Sequence, residues 1–341
     1  MKGDGGQRVT STDIARAAGV SQPTVSRALR GDPRVAAATV ERVRQAAERL
    51  GYVPHLAARS LATSRTEIAA IVVSDLNNPF YPELVQALHV ELGGHGYRAL
   101  LVASAGDARP DIRGLVGGGV IDGAIIATAT IDEETRDLLV TEAVPIVCVV
   151  REVPGARRDA VIADNEGGAR LAAAALTEAG HRRIAMISGP ADTSTAGERE
   201  AGFAAGLAAA GLELDPALCR RGPYTHDSGH HHCTELLGLP EPPTAIFCGN
   251  DAIALGALDA ARRLGVAVPD RLSVIGFDDM APAAWEAFGL STVRQPLAAM
   301  AAKAAELFVD RVAAPDGPVS RVVFPTSLVR RQTVGPPSRR D

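Results

Sequence analysis

A chain of 341 residues, 46% apolar and 22% charged, has room for two or three domains with buried cores and belongs to a globular, soluble class. Its N-terminus lacks a basic-then-apolar leader and no apolar run approaches the ~18 residues that span a bilayer, which argues against secretion and membrane insertion and for the cytoplasm. The net charge of −5 is unevenly spread: residues 1–65 carry eleven Lys/Arg against five Asp/Glu, a net of +6, leaving −11 for the rest, as expected when one end approaches polyanionic phosphates. Cys148, Cys219, Cys233 and Cys248 show no CxxC pairing and sit in or beside apolar runs, so they read as reduced small hydrophobes.

Thr10, with Asp13 three residues on, predicts a capped helix start, and Ile14, Ala15 and Ala18 supply one apolar face. Gly19 breaks that helix. Val20 fills the turn, and Ser21 caps a second helix that points Val25, Ala28 and Leu29 inward. Two short helices joined by a glycine turn make a helix-turn-helix. Pro23 falls in the first turn of the second helix, where its missing N–H costs nothing. Gln22, Thr24, Ser26 and Arg27 then lie on the outward N-terminal part, where a recognition helix meets base edges and phosphates. A third helix is predicted over about 38–50, with Val40, Val43, Ala47 and Leu50 inside, Arg42, Arg44 and Arg49 outside, and Gly51 at its end. After Pro54 comes a helix-compatible stretch, 55–62, too brief to be stable alone.

From residue 66 the chain alternates apolar strands with amphipathic helices: IAAIVVSDL, RALLVASA, GAIIATA and PIVCVV, then from about Asp164 RIAMISGP, TAIFCGND, LSVIGFDD and LSTVRQP. Such alternation predicts parallel sheets covered on both faces, here two doubly wound lobes, with ligands beyond the C-terminal strand ends. Asp75, Asn77, Asn78, Phe80 and Tyr81 follow the first strand; Asn250 and Asp251 close TAIFCGND, and Asp278 and Asp279 close LSVIGFDD. Carboxylates, amides and aromatics converging on one cleft suit a polyhydroxylated ligand. Asp251 and Asp279 could equally cap the helices that follow them, and Arg199 with Asp278 could form a structural ion pair. In HDSGHHHC, His226 and His230 stand at i,i+4 spacing with Cys233 nearby, but three consecutive histidines point in different directions around a helix, so no metal and no cofactor are expected. No P-loop, GxGxxG after a strand or GxSxG elbow appears, so an enzyme is not expected.

DIARAAGVSQPTVSRAL, ERLGYVPHLAARSLATSRT, DLNNPFY, HRRIAMISGP, GNDAIALGAL, LSVIGFDD and SLVRRQT, in this order along nearly the whole chain, resemble the LacI/GalR (lactose-repressor) family of bacterial transcription regulators. The resemblance implies an all-α helix-turn-helix head over 1–54, a hinge helix and linker over 55–65, and a periplasmic-binding-protein-like α/β body over 66–341. Within the body it implies an N-lobe of about 66–163 plus 293–325 and a C-lobe of about 164–292 plus 326–341. Its implied partners are double-stranded, pseudo-palindromic operator DNA, a small-molecule effector and a second copy of the chain in a homodimer; no leucine-heptad tail follows SLVRRQTV, which favours a dimer over a tetramer.

On the DNA side the resemblance implies contacts from Thr10, Ser21, Gln22, Pro23, Thr24, Ser26 and Arg27, and from the hinge residues His55, Ala58, Arg59 and Leu61, with Leu61 as a minor-groove wedge. His55 departs from the asparagine usual after the hinge proline. On the effector side it implies Asp75, Phe80, Tyr81, Arg151, Arg199, Tyr224, Asn250 and Asp278. Val150 stands where the family frequently has an acid before Arg151, so a sugar-hydroxyl acceptor is missing, and Arg151 with Arg199 would also suit an anionic ligand. The expected function is a repressor controlled by a carbohydrate or derivative. A transport-type sugar-binding protein is the rival class, against which the basic head and the missing leader argue.

Overall fold

The computed structural model describes residues 9–29, 32–52, 65–103, 112–127, 144–152 and 157–338, divided between two compact units, Met1–Thr66 and Glu67–Asp341. The stretch 55–62, with His55, Ala58, Arg59 and Leu61, lies outside the described residues.

The first unit is built from α1 (Ser11–Ala18), α2 (Gln22–Leu29) and α3 (Ala37–Leu50). The capping box is formed as expected, with the Thr10 N–H donating to Asp13 Oδ2 at 3.0 Å and the Asp13 N–H to Thr10 Oγ1 at 3.4 Å. Gly19 takes φ +64°, the left-handed conformation that ends a helix and that a side chain would resist. Ser21 receives the Thr24 N–H at 3.4 Å. Ile14, Ala15, Ala18, Val25, Ala28, Val43, Ala46 and Ala47 form the buried cluster, with Val20, Val35, Val40 and Tyr52 packed on its edge. Leu29 and Leu50, expected inside, are 39% and 38% exposed. Each is the last residue of its helix, a turn beyond the point where three short helices can still enclose a side chain, and Ala46 takes the place assigned to Leu50.

The second unit contains two six-stranded sheets. The first is ordered β11-β5-β4-β3-β1-β2 and is parallel throughout: β1 (Ile68–Val73), β2 (Arg98–Ala103), β3 (Gly123–Ile126), β4 (Ile146–Val149), β5 (Asp159–Ala163) and β11 (Arg321–Phe324). The second is ordered β12-β10-β9-β8-β6-β7: β6 (Ile184–Ser188), β7 (Cys219–Arg221), β8 (Ala245–Cys248), β9 (Ser273–Asp278), β10 (Ser291–Arg294) and β12 (Ser327–Val329), the last pairing antiparallel with β10. Central strands buried on both faces need apolar side chains in every position, and β3, β4, β6, β8 and β9 are buried at every residue.

Helices α4 (Phe80–Gly94), α5 (Ile112–Gly117) and α10 (Leu297–Ala313) accompany the first sheet, and α6 (Asn165–Glu178), α7 (Ser194–Ala209), α8 (His226–Leu237) and α9 (Asp251–Arg263) the second. In the first lobe Arg311 of α10 forks onto Asp159 of β5 at 2.7 and 3.0 Å, a bidentate pair that locks the helix to the sheet. In the second, α8 and α9 pack at backbone contact: a Cβ on Gly229 would strike the Ile253 carbonyl, and one on Gly256 the His226 carbonyl. His181 anchors the C-terminal segment, with Nδ1 2.9 Å from Thr244 Oγ1 and Nε2 2.9 Å from both Ser273 Oγ and the Gly335 carbonyl. No described helix is long and apolar enough to cross a membrane.

The chain passes between the sheets at β5 to α6, at β10 to α10, and at β11 to β12. The second of these crossings contributes Gln295 to the cleft described next, and the first contributes Asn165 to its central pair.

Candidate functional site

Two surfaces carry chemistry. On the head, Ser21, Gln22, Pro23, Ser26 and Arg27 are exposed along α2, Thr24 is half-buried and Thr10 is exposed at the start of α1. Gln22 Nε2 donates to Ser11 Oγ at 2.9 Å, so its amide is steered by the neighbouring helix while still facing solvent. Arg44 is held by Glu41 at 2.8 Å and Glu48 at 2.7 Å, and Arg34 by Asp32 at 2.7 Å. Arg27 forms no ion pair within 4 Å among the described residues, though after the Arg34 hydrogen bonds its charge helps hold the Asp32 carboxyl below the usual range, and its exposed guanidinium suits an external anion.

In the body, a cleft open to solvent, with about 300 Å³ of empty space counting the solvent at its mouth, collects residues from both sheets. The first lobe contributes Asn78, Phe80 and Tyr81 from the turn after β1 and the start of α4, and Val150 and Arg151 from the end of β4. The second contributes Thr195 and Arg199 of α7, Tyr224 after β7, Asn250 after β8, Asp278 closing β9 and Gln295 after β10. Every contributing strand delivers its C-terminal end, where a parallel sheet leaves its following loops and helix starts.

Arg199 and Asp278 sit at the centre. Their Nη2 to Oδ1 distance is 3.3 Å, and the side chains are 4% and 6% exposed. Arg199 also donates from Nε to Asn165 Oδ1 at 2.9 Å and from Nη1 to the Gly249 carbonyl at 2.6 Å, and its guanidinium lies 3.8 Å from the centre of the Phe277 ring. Asp278 accepts from Gln295 Nε2 at 2.7 Å. Burial pushes the Asp278 carboxyl up to about 6, against the pull of Arg199, Gln295 and Arg151 in the other direction. At neutral pH the pair is ionised, and Arg199 and Gln295 both meet the same carboxylate oxygen, Oδ1.

Around the pair stand the apolar faces. Phe80 and Tyr81 meet edge-on at 5.6 Å. Tyr224 covers Gly189, whose Cβ would collide with the ring; its hydroxyl is 3.3 Å from Thr195 Oγ1, its backbone carbonyl accepts from Asn78 Nδ2 at 3.5 Å, and Arg151 lies 5.4 Å over its ring. Val150 adopts φ +71°, Asp278 φ +123° and Asp279 φ +58°. Non-glycine residues held there cost on the order of 1–3 kcal/mol each and cluster where geometry is imposed for a purpose. Asn250 uses Oδ1 to cap α9, accepting the Ile253 N–H at 2.9 Å, and so presents its amide nitrogen rather than its oxygen.

The neighbouring carboxylates are committed elsewhere. Asp251 accepts from Thr292 Oγ1 at 2.5 Å and from the Met280 N–H at 2.9 Å, and burial together with Asp278 raises its carboxyl well above the usual range. Asp279 is clamped by Arg294 and Arg331, each at 2.6 Å. Asp75 does not line the cleft; it is half-buried and folds back to accept the Asn77 N–H at 2.8 Å.

Residues 10–55 match the sequence model of bacterial regulatory proteins, lacI family, and residues 173–334 that of the periplasmic binding protein-like domain. The chain is 36% identical over 335 residues to the HTH-type transcriptional regulator CelR of Thermobifida fusca, covering 96% of this chain and 98% of that protein. The chain belongs to the lacI family of bacterial regulatory proteins. It is a DNA-binding transcriptional regulator. Two solved structures agree: a CelR–cellobiose complex at TM-score 0.72, 35% identical, and the lac repressor dimer bound to operator and an anti-inducer at TM-score 0.84, 25% identical, each covering 96% of this chain and all of the other.

For this lacI-family chain the sequence reading overlooked two polar members of the cleft. Gln295 directly follows a strand in LSTVRQP, and the strand-end rule that selected Asp278 would have found it. Thr195 lies in the first turn of α7, a helix start that no acidic or aromatic residue marks in the sequence.

Proposed function

We propose that this regulator is a cytoplasmic, dimeric repressor that binds a pseudo-palindromic operator and changes its hold on DNA when a carbohydrate or carbohydrate derivative fills the cleft. The observation that carries the reading is the buried Arg199–Asp278 pair at the strand ends, flanked by Phe80, Tyr81 and Tyr224. A sugar ring offers hydroxyls for the guanidinium, the carboxylate and the Asn250 amide, and C–H faces for the aromatic rings. The cellobiose held by the structural relative CelR belongs to the same ligand class. Arg151, over Tyr224, adds a second cation, which extends the candidates to acidic sugars.

On the head, Gln22, Pro23, Thr24, Ser26 and Arg27 are the base- and phosphate-contacting set, with Thr10 and Ser21 at the helix starts they cap. By resemblance His55, Ala58, Arg59 and Leu61 complete the DNA contacts. The cleft is read as a sensor and not a catalytic site, in keeping with relatives named as transcriptional regulators.

A thermal-shift screen of neutral sugars, uronic acids and sugar phosphates on the whole chain, followed by operator-binding titrations with each hit, tests the reading. A hit at ~100-fold excess over its Kd stabilises the body by about 2.7 kcal/mol. Genome-wide binding without an inverted-repeat site, or hits that leave operator affinity unchanged, would overturn it.

A further inference from the structure

Helix α8 brings His231, His232 and Glu235 together on the surface of the second lobe. His231 Nε2 lies 3.5 Å from Glu235 Oε1, and His232 Nδ1 lies 3.1 Å from Glu235 Oε2. The three ligand atoms all fall within 4.8 Å of one another. An ion bound tetrahedrally through bonds of about 2.0–2.1 Å spaces its ligand atoms about 3.3 Å apart, so each imidazole nitrogen stands near coordination spacing from one of the two Glu235 carboxylate oxygens. The spacing follows from helix geometry: Glu235 is four residues after His231 and three after His232, and both side chains reach it along one face.

His232 is set as a metal-binding imidazole is set. Its Nε2 stands 3.1 Å from the Arg221 carbonyl; donating a proton there leaves Nδ1, the nitrogen facing Glu235, to carry a lone pair. Its side chain is only 17% exposed, whereas those of His231 and Glu235 are 68% and 43% exposed. One ligand is fixed and two are reachable from solvent.

We propose that His231, His232 and Glu235 form a binding site for a divalent transition metal of the zinc class, with water completing the coordination. Two imidazoles and one carboxylate select zinc, nickel or copper over calcium and magnesium, which take oxygen ligands. The neighbouring set picked out by spacing alone does not serve. Cys233 is fully buried, donates to the Ala257 carbonyl and has its thiol pushed up to about 12 by burial, so no thiolate forms. His226 is drawn 2.9 Å from Asp259, and His230 faces His226, away from Glu235. Arg220 Nε, 3.3 Å from Glu235 Oε2, is the competing cation on the His232 side.

The test is titration of the tag-free full chain with zinc chloride by calorimetry, and with cobalt chloride by visible absorption. His231→Ala and Glu235→Gln alter exposed side chains, and melting in chelator checks that both stay folded. The expected result is one zinc per chain, with affinity at least about tenfold weaker in each variant and unchanged in His226→Ala. No saturable zinc binding, or equal affinity in wild type and both variants, overturns the proposal. A loss in His226→Ala without one in His231→Ala overturns it as well, by moving the ion to the other histidine pair.

Discussion

Arg199 Nη2 lies 3.3 Å from Asp278 Oδ1, with Asn165 and the Gly249 carbonyl accepting from the guanidinium and Gln295 donating to the carboxylate. A buried pair of this kind is weak evidence for stability, since desolvation offsets most of the attraction, but removing one partner leaves an uncompensated charge. Under the proposed function the pair serves ligand recognition, and the surrounding bonds offset part of its desolvation.

Arg199→Ala and Asp278→Asn should each weaken binding of the screened carbohydrate by at least about 2 kcal/mol, roughly thirtyfold. Calorimetric titration of wild type and both variants measures this. Unchanged affinity in both would place the effector outside this cleft.

Effector affinity should also depend on pH. The folded-state carboxyl of Asp278 is raised to about 6, so it gains a proton as pH falls through that value and ceases to accept from ligand hydroxyls. Affinity is expected to be level from pH 7 to 8 and to fall towards pH 5. The dependence should flatten in Asp278→Asn, measured as Kd against pH.

Replacement of Gln22 should change which base the protein prefers and not merely how tightly it binds. Its amide is oriented by Ser11 and stands exposed at the start of α2, the position from which a bidentate contact discriminates by about 1–3 kcal/mol. Selection from a randomised oligonucleotide pool with Gln22→Ala should relax one position in each half-site. Ser11→Ala, which frees the amide without removing it, should blur the same position more weakly.

His181 links the fold to acid sensitivity. Burial drives its pKa below the ordinary value while the Gly335 carbonyl pulls the other way. The unfolded chain then binds more protons near pH 6 than the folded one, so the stabilisation is complete above the unfolded pKa and is lost as pH falls below it. Urea unfolding of wild type should show stability declining from pH 7 to pH 5. In His181→Gln the decline should be shallower and the starting stability lower by about 1–3 kcal/mol, because Thr244, Ser273 and Gly335 lose their shared partner.

The strands written as unbroken apolar runs, such as IAAIVV and SVIGF, could be read from sequence because burial on both faces demands that composition. DAVIA, CRR, RVVF and SLV could not: each contains or adjoins a charged residue or proline that breaks the apolar run. The same division holds in the cleft. Asp278 and Asn250 announce themselves at strand ends, whereas the fate of Asp75 turned on a local backbone turn, and the commitment of Asp279 to Arg294 and Arg331 required knowing where the C-terminal segment returns. His231 and His232 converge on Glu235 because the acid stands one helical turn on, a relation that spacing among the histidines alone does not show.

Each passage of the chain between the two sheets carries a residue of the central polar network. Asn165 at the first holds Arg199 Nε, Gln295 at the second holds Asp278, and Thr326 at the third donates to the Asp164 carbonyl beside Asn165. Arg199 and Asp278 themselves belong to the second lobe, one in α7 and the other closing β9, while their partners Asn165 and Gln295 stand where the chain leaves one sheet for the other. Under the proposed function, a ligand drawing on the pair therefore also loads the seams that tie the lobes together.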